Sequence, residues 1–232
     1  MRVVAVLATS LDGRIAEAAA VPARFGSAQD QRRLETIVAQ SDAVLMGAAT
    51  LRAYGTCRSV TNPQLQQQRR DRGQSPQPVQ IICSASGQIE PACRFFQQPV
   101  PRWLLTTEQG RDRWGQESGF EAVLIAGQTQ LDWEQAFAQF ELSWQQIAVL
   151  GGGQLLGSLL AADRIDELYL TLCPLLLGDR PASPLVAGLH FSAADAPRWQ
   201  LLSAEPVADE LFLHYRCTES DAIGSKALTS AS

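Results

Sequence analysis

Three consecutive glycines, Gly151, Gly152 and Gly153, stand between a short apolar run, Ile147 to Leu150, and a segment carrying Leu155, Leu156, Leu159 and Leu160 at helical spacing. The run reads as a buried strand and the segment as an amphipathic helix, so the glycines form the corner between them. Such a corner lets backbone N–H groups approach an anion closely. The helix start adds unpaired donors and the positive end of its dipole. A diphosphate suits that place, but a plain tight connection would use the same residues, and local sequence leaves both readings open. The ordinary dinucleotide fingerprint does not fit, because its third glycine falls on Leu156. The acids Asp166 and Glu167 also precede the next strand, Leu168 to Cys173, where a ribose-binding acid would end one.

A second corner repeats the pattern. Ala43 to Met46 reads as a buried strand that ends at Gly47 and enters a helix through Ala48, Ala49, Thr50, Leu51 and Arg52. In the first helical turn Thr50 offers a hydroxyl and Arg52 a guanidinium, both able to meet phosphate. Two glycine-started helices on one sheet favour a single extended anion shared between them. A further polar group, Ser10-Leu11-Asp12-Gly13, follows the first strand, Arg2 to Ala8. Asp12-Gly13 is a turn signal; it also falls at the carboxyl end of a strand, where open α/β sheets place ligands. Ser84, after the strand Val79 to Cys83, either binds a ribose phosphate or forms the turn.

The elements that must position these residues follow from periodicity and caps. Ser27 is a candidate N-cap with Asp30 at the third helical position, and Leu34, Ile37 and Val38 form the apolar stripe. On that helix Arg32 and Arg33 read as a solvated face, with one of them able to reach an anion at the helix start. Residues 55–78 read as a polar surface excursion with a short helix near 64–70. Its Arg69, Arg70 and Arg72 read as solvated, with a phosphate clamp as the alternative. Further strands are expected at 103–106 and 121–125, a helix at 132–141, and an antiparallel hairpin from 199–204 and 211–217. The expected fold is a single three-layer α/β domain over residues 1–217, its central sheet mixed, mostly parallel, and ended by that hairpin. Residues 218–232 read as a disordered tail.

Composition narrows the function. Hydrophobic residues make up 46% of the 232 and charged residues 19%, a globular balance, and the net charge of −5 gives nucleic acid no electrostatic footing. No apolar run approaches the roughly 20 residues of a membrane span, and the N-terminus reads as a strand, so the expected compartment is the cytoplasm. Five dispersed cysteines and two distant histidines argue against both a disulfide framework and a metal site. Against 18 arginines there is one lysine, Lys226, which leaves arginine, hydroxyl and backbone to recognise phosphate.

Taken together, residues 8–16 (ATSLDGRIA), 41–52 (SDAVLMGAATLR), Gly151-Gly152-Gly153, and Asp166-Glu167-Leu168 followed by 174–178 (PLLLG) resemble the reductase domain of bacterial riboflavin biosynthesis, the RibD C-terminal domain family, which has a dihydrofolate reductase-like fold. The resemblance spans about residues 2–217. It implies NADPH-dependent reduction of 5-amino-6-(5-phosphoribosylamino)uracil to its ribitylamino form. By the same resemblance Gly47, Thr50, Gly152 and Gly153 would hold the NADPH diphosphate and Ser84 would lie near the 2′-phosphate. Ser10, Arg52, Gly151, Gln154 and Leu155 would complete the cofactor set. Asp12 would be the catalytic or proton-relay group, and Gly13, Ser27 and Arg33 would contact the phosphoribosyl-pyrimidine substrate. A homodimer is implied as well. Reduction of another pterin or pyrimidine, or NADPH binding without catalysis, remains a compatible alternative.

Overall fold

The computed structural model describes residues 1–17, 21, 24–114, 119–140, 142–178 and 182–218. In chain order the elements are β1 (Arg2–Thr9), β2 (Arg14–Ala16), α1 (Ala28–Gln40), β3 (Ala43–Gly47), α2 (Ala48–Tyr54), α3 (Pro63–Asp71), β4 (Val79–Cys83), β5 (Arg102–Thr106), α4 (Glu108–Trp114), β6 (Ala122–Ile125), α5 (Trp133–Ala138), β7 (Gln146–Val149), α6 (Gly153–Ala161), β8 (Glu167–Leu172), β9 (Ser183–Pro184), β10 (Arg198–Val207) and β11 (Glu210–Thr218). Nine strands form one sheet in the order β10-β11-β8-β1-β7-β3-β4-β5-β6. Every pairing from β8 across to β6 is parallel. β11 joins β8 antiparallel and β10 joins β11 antiparallel.

Strand alternation sends side chains to two cores. Val3, Ala5 and Leu7 of β1 face α5 and α6 with Leu45, Ile81, Ile147 and Val149, against Trp133, Leu155 and Leu159. Val4, Val44 and Ala148 face the other way, onto Ile37 and Val38 of α1. Beyond them Met46, Ile82 and Leu104 pack on Leu51 and Phe95. Each fully buried Leu or Ile here contributes about 2 kcal/mol. The result is the expected three-layer α/β fold with a mostly parallel sheet closed by an antiparallel hairpin, the hairpin strands running several residues longer than their sequence pattern suggests. Residues 219–232, read from the sequence as most of a tail, lie outside the described residues.

Three elements were not legible. A short pair, β2 with β9, forms a second sheet beside the first, and α4 follows β5. One expectation is corrected outright: Arg69 is not solvated but 2% exposed, the bulkiest fully buried side chain described. Its guanidinium donates to the carbonyls of Ala39 (3.0 Å), Ser41 (2.5 Å) and Ser75 (2.7 Å). It thereby satisfies acceptors at the end of α1, whose last turn has no basic residue of its own. Burial first, then the neighbouring Arg72, pulls its pKa down to about 10, which leaves it charged. No described helix is long and apolar enough to cross a membrane.

Candidate functional site

The parallel register sets the two glycine corners side by side. Leu45 of β3 pairs with Val149 of β7, and Leu150 N–H donates to Leu45 O at 2.9 Å. One step further, Gly151 and Gly152 turn with φ of +73° and +90°, which only glycine adopts without strain. A Cβ on Gly152 would lie 3.2 Å from Thr50 Oγ1, and one on Gly151 would lie 3.7 Å from Thr50 Cγ2. The first turn of α2 thus lies against the turn that opens α6. No side chain caps α6 at Gly152. Behind it, Gly153 and Gly157 let the 182–188 strap approach: a Cβ there would meet Pro184 O at 2.6 Å and Ala187 O at 2.3 Å. Ala187 N–H donates back to Gly153 O, and Leu185 N–H to Gly13 O, each at 3.0 Å.

In front of these corners opens a cavity of about 620 Å³. Thr50, Gly151, Gly152, Gly153 and Gln154 line it together with Ile15, Ala16 and Ser183, and so do Asp30, Gln31, Tyr54 and Arg58. Gly47 does not itself line it, whereas Met46 before it and Ala49 two residues on do. Leu155 is buried beneath the corner, its Cβ 3.8 Å from where a Gly47 Cβ would stand. This corner suits a diphosphate: two positive-φ glycines, an uncapped helix start and a hydroxyl face one space.

Other sequence candidates sit elsewhere. Ser84 is buried; its carbonyl accepts from Thr106 Oγ1 at 2.7 Å, and it does not line the cavity. Arg52 borders a separate, smaller hollow and reaches Gln88 O at 3.4 Å. Ser10 is fully buried, its hydroxyl donating to Asp12 Oδ1 at 2.6 Å and accepting from Arg14 N–H at 2.9 Å. The Asp12 carboxylate also accepts from Leu177 N–H (3.1 Å) and Gly178 N–H (2.7 Å). The Ser10 hydroxyl foremost, with these amides, holds Asp12 down to about 2. A group that stays ionised at neutral pH and is tied on both oxygens acts as a clamp between loops 10–13 and 175–178. Gly13, with φ of +78°, turns that loop.

Ser27 and Arg33 are committed as well. Ser27 Oγ accepts from Asp30 N–H as the helix cap and donates to Glu210 Oε2 at 2.5 Å. Arg33 lies between the rings of Tyr169 and Phe212 and donates to Leu213 O at 2.7 Å, with weaker bonds to Leu170 O and Thr171 Oγ1. Neither lines the cavity.

Sequence reasoning missed the two charged residues that do. Among the described lining residues Asp30 is the one anion and Arg58 the one cation. Asp30 is 7% exposed. Burial pushes its carboxyl up, the Thr171 hydroxyl works against that, Glu210 adds to the rise, and Arg33 and Arg58 oppose it. Arg58 donates to Gln31 O at 2.9 Å, and its Nε is buried with no partner among the described atoms. The one local signal for Asp30 was Gly26: a Cβ there would come within 2.3 Å of Asp30 Oδ2. Burial raises the Cys57, Cys83 and Cys173 thiols to about 12, which makes them poor nucleophiles. Among the described residues no group of three or more His, Cys, Asp or Glu could hold a metal ion.

A family model described as the RibD C-terminal domain matches residues 2–213. Over 215 residues the chain is 29% identical to the riboflavin biosynthesis protein RibD of Escherichia coli, covering 90% of this chain and 58% of that protein. The chain therefore spans little more than half the length of that relative. It is 24% identical over 211 residues to the 2,5-diamino-6-ribosylamino-4(3H)-pyrimidinone 5′-phosphate reductase of Methanothermobacter thermautotrophicus, covering 90% of this chain and 94% of that one. A pyrimidine reductase-like protein of Corynebacterium diphtheriae shares the fold with a TM-score of 0.78 at 21% identity, over 94% and 92% of the two chains. A dihydrofolate reductase from Enterococcus faecalis does so at 0.51 and 14%, over 94% and 97%.

Proposed function

The chain belongs to the RibD C-terminal domain family, and from that premise and the cavity's geometry we propose that it is a reductase of riboflavin biosynthesis, using NADPH to reduce a phosphoribosylaminopyrimidine to its ribitylamino form. The observation that carries this reading is one cavity lined both by the glycine corner with the Thr50 hydroxyl and by the two charged side chains Asp30 and Arg58. Gly151, Gly152 and Gly153, with Thr50 and Gln154, would hold the diphosphate, with Gly47 and Leu155 shaping the corner behind. NADPH, when bound, would supply a hydride from its nicotinamide.

The chain's own residues bind and orient. Arg58 is the cation placed to meet the substrate phosphate, in the role the resemblance gave to Arg33. Its buried, unpartnered Nε is a donor that an anion would satisfy. Ile15, Ala16, Phe25 and Leu34 give the cavity an apolar wall against which a pyrimidine ring would lie. The sugar ring would open to an imine at C1′, and hydride to that carbon with a proton from water to the nitrogen would complete the reduction without a covalent nucleophile. Asp12 acts indirectly, by fixing the loop next to Ile15. Two copies pairing through the later strands would be the assembly.

The test is NADPH consumption with 5-amino-6-(5-phosphoribosylamino)uracil or its 2-amino counterpart, followed by identification of the ribityl product. Cofactor binding without oxidation of either compound would favour a nucleotide-binding module instead.

A further inference from the structure

We propose that Gln77 and Gln98 are positioning residues for the reduction: their side-chain amides hold the backbone on either side of Arg58 and so fix its guanidinium on the cavity wall. This rests on the reading of Arg58 as the cation for the substrate phosphate. Residues 57–62, which carry Arg58, lie between α2 and α3 and belong to no strand or helix. Such a segment has no ladder of its own to satisfy its backbone groups or to hold its course. Its buried side chains, Cys57 and Val60, anchor it in two different cores.

At those same two residues glutamines hold the backbone. Gln98 Oε1 accepts from Cys57 N–H at 2.8 Å, and Gln98 Nε2 donates to Cys57 O at 3.1 Å. Gln77 repeats the arrangement at Val60: its Oε1 accepts from Val60 N–H at 2.8 Å and its Nε2 donates to Val60 O at 2.7 Å. A primary amide offers an acceptor and donors together, so each glutamine does for one residue what a neighbouring strand does in a sheet. Arg58 lies between the two held residues. Glu35 Oε1 closes the segment by accepting from Asn62 N–H at 2.8 Å. Gln98 is itself tied, its backbone carbonyl accepting from Arg102 Nη1 at 2.6 Å.

Arg58 needs that support. Its carbonyl takes a weak bond from Gln80 Nε2 at 3.4 Å, and its Nη2 donates to Gln31 O at 2.9 Å. A guanidinium on a drifting backbone would have to be ordered at each binding event, and that entropy would come out of the affinity. Held beforehand, it meets the phosphate already oriented. Neither Gln77 nor Gln98 lines the cavity, so each acts through Arg58 and not on the ligand.

The experiment is calorimetric titration of the full chain with ribose 5-phosphate and with NADPH, alongside kcat and KM on the phosphoribosylaminopyrimidine. The chains compared are the native sequence, Gln77→Met, Gln98→Met, Arg58→Met, and each glutamine variant combined with Arg58→Met. Each glutamine variant should bind ribose 5-phosphate about tenfold more weakly and raise KM by about the same factor, with kcat and NADPH affinity within about twofold of native. In the Arg58→Met background the same substitutions should change nothing further, because the group they position is gone. A merely structural role would lower both backgrounds alike. A measurement on the native chain covers variants that fail to fold: the Cys57 and Val60 amides should exchange slowly and gain protection when ribose 5-phosphate is added. No binding of ribose 5-phosphate by the native chain, an affinity unmoved by both substitutions, equal losses with and without Arg58, or fast exchange at Cys57 and Val60 would overturn the inference. The two readings fail separately. Phosphate binding that depends on the glutamines without any NADPH oxidation sinks the reductase and leaves the positioning of Arg58, whereas full turnover with a KM indifferent to them does the reverse.

Discussion

Gly152 and Thr50 face each other across the boundary between two adjacent parallel strands, so closely that a Cβ on the glycine would stand 3.2 Å from the threonine hydroxyl. Gly152 also has φ of +90°. Gly152→Ala should therefore cost about 1–3 kcal/mol in stability through backbone strain. It should also weaken NADPH by roughly tenfold or more, because Thr50 and the corner must part. Denaturant titration and a fluorescence titration with NADPH read the two effects separately.

Thr50→Val keeps the shape and removes the hydroxyl. The expected result is a loss of NADPH affinity of roughly ten- to 150-fold, the worth of one hydrogen bond to a charged group, with unfolding free energy nearly unchanged. Unchanged affinity would mean that the hydroxyl faces no phosphate.

Arg69→Met tests the buried guanidinium. Three carbonyls, those of Ala39, Ser41 and Ser75, lose their donor, and a destabilisation of about 2–4 kcal/mol is expected. The NADPH dissociation constant of the folded fraction should not move, since Arg69 is remote from the cavity lining. A weakened cofactor at full stability would restore the phosphate-clamp reading.

The Asp12 clamp carries a pH signature. Its folded pKa of about 2 lies below the ordinary value of 3.8, so its stabilisation is present above about pH 4 and is lost as pH falls through 2. Exchange protection of the Leu177 and Gly178 amides should drop in that window. In Asp12→Asn the protection should be reduced at every pH. Turnover should fall because the loop beside Ile15 loosens, while NADPH affinity stays within about threefold of the native value.

Most of the fold could be read in the sequence, because its signals were local. The apolar β-branched runs, the Ser27 cap and the glycines at 151–153 each fix backbone over a few residues, and the strands and helices follow. The glycine corner that lines the cavity is legible for the same reason. The charged lining is not. Asp30 looks like an ordinary first-turn acid, and only the hairpin bearing Glu210, packed over it from 180 residues away, turns it into a buried carboxyl. Arg69 sits in a glutamine- and arginine-rich stretch that reads as solvated; the carbonyls that draw it inward belong to α1. Arg33 could equally have faced an anion, and the rings of Tyr169 and Phe212 decide otherwise. The short β2–β9 pair has too few residues for any periodicity to declare it.

The most direct test of the central claim is a stopped assay of the full chain with NADPH and the phosphoribosylaminopyrimidine, following absorbance at 340 nm and the ribityl product together. Stoichiometric loss of NADPH with formation of the ribitylamino compound, both lowered by Gly152→Ala, is the predicted result. Turnover that survives Gly152→Ala undiminished, or no oxidation of NADPH by the native chain, would contradict it.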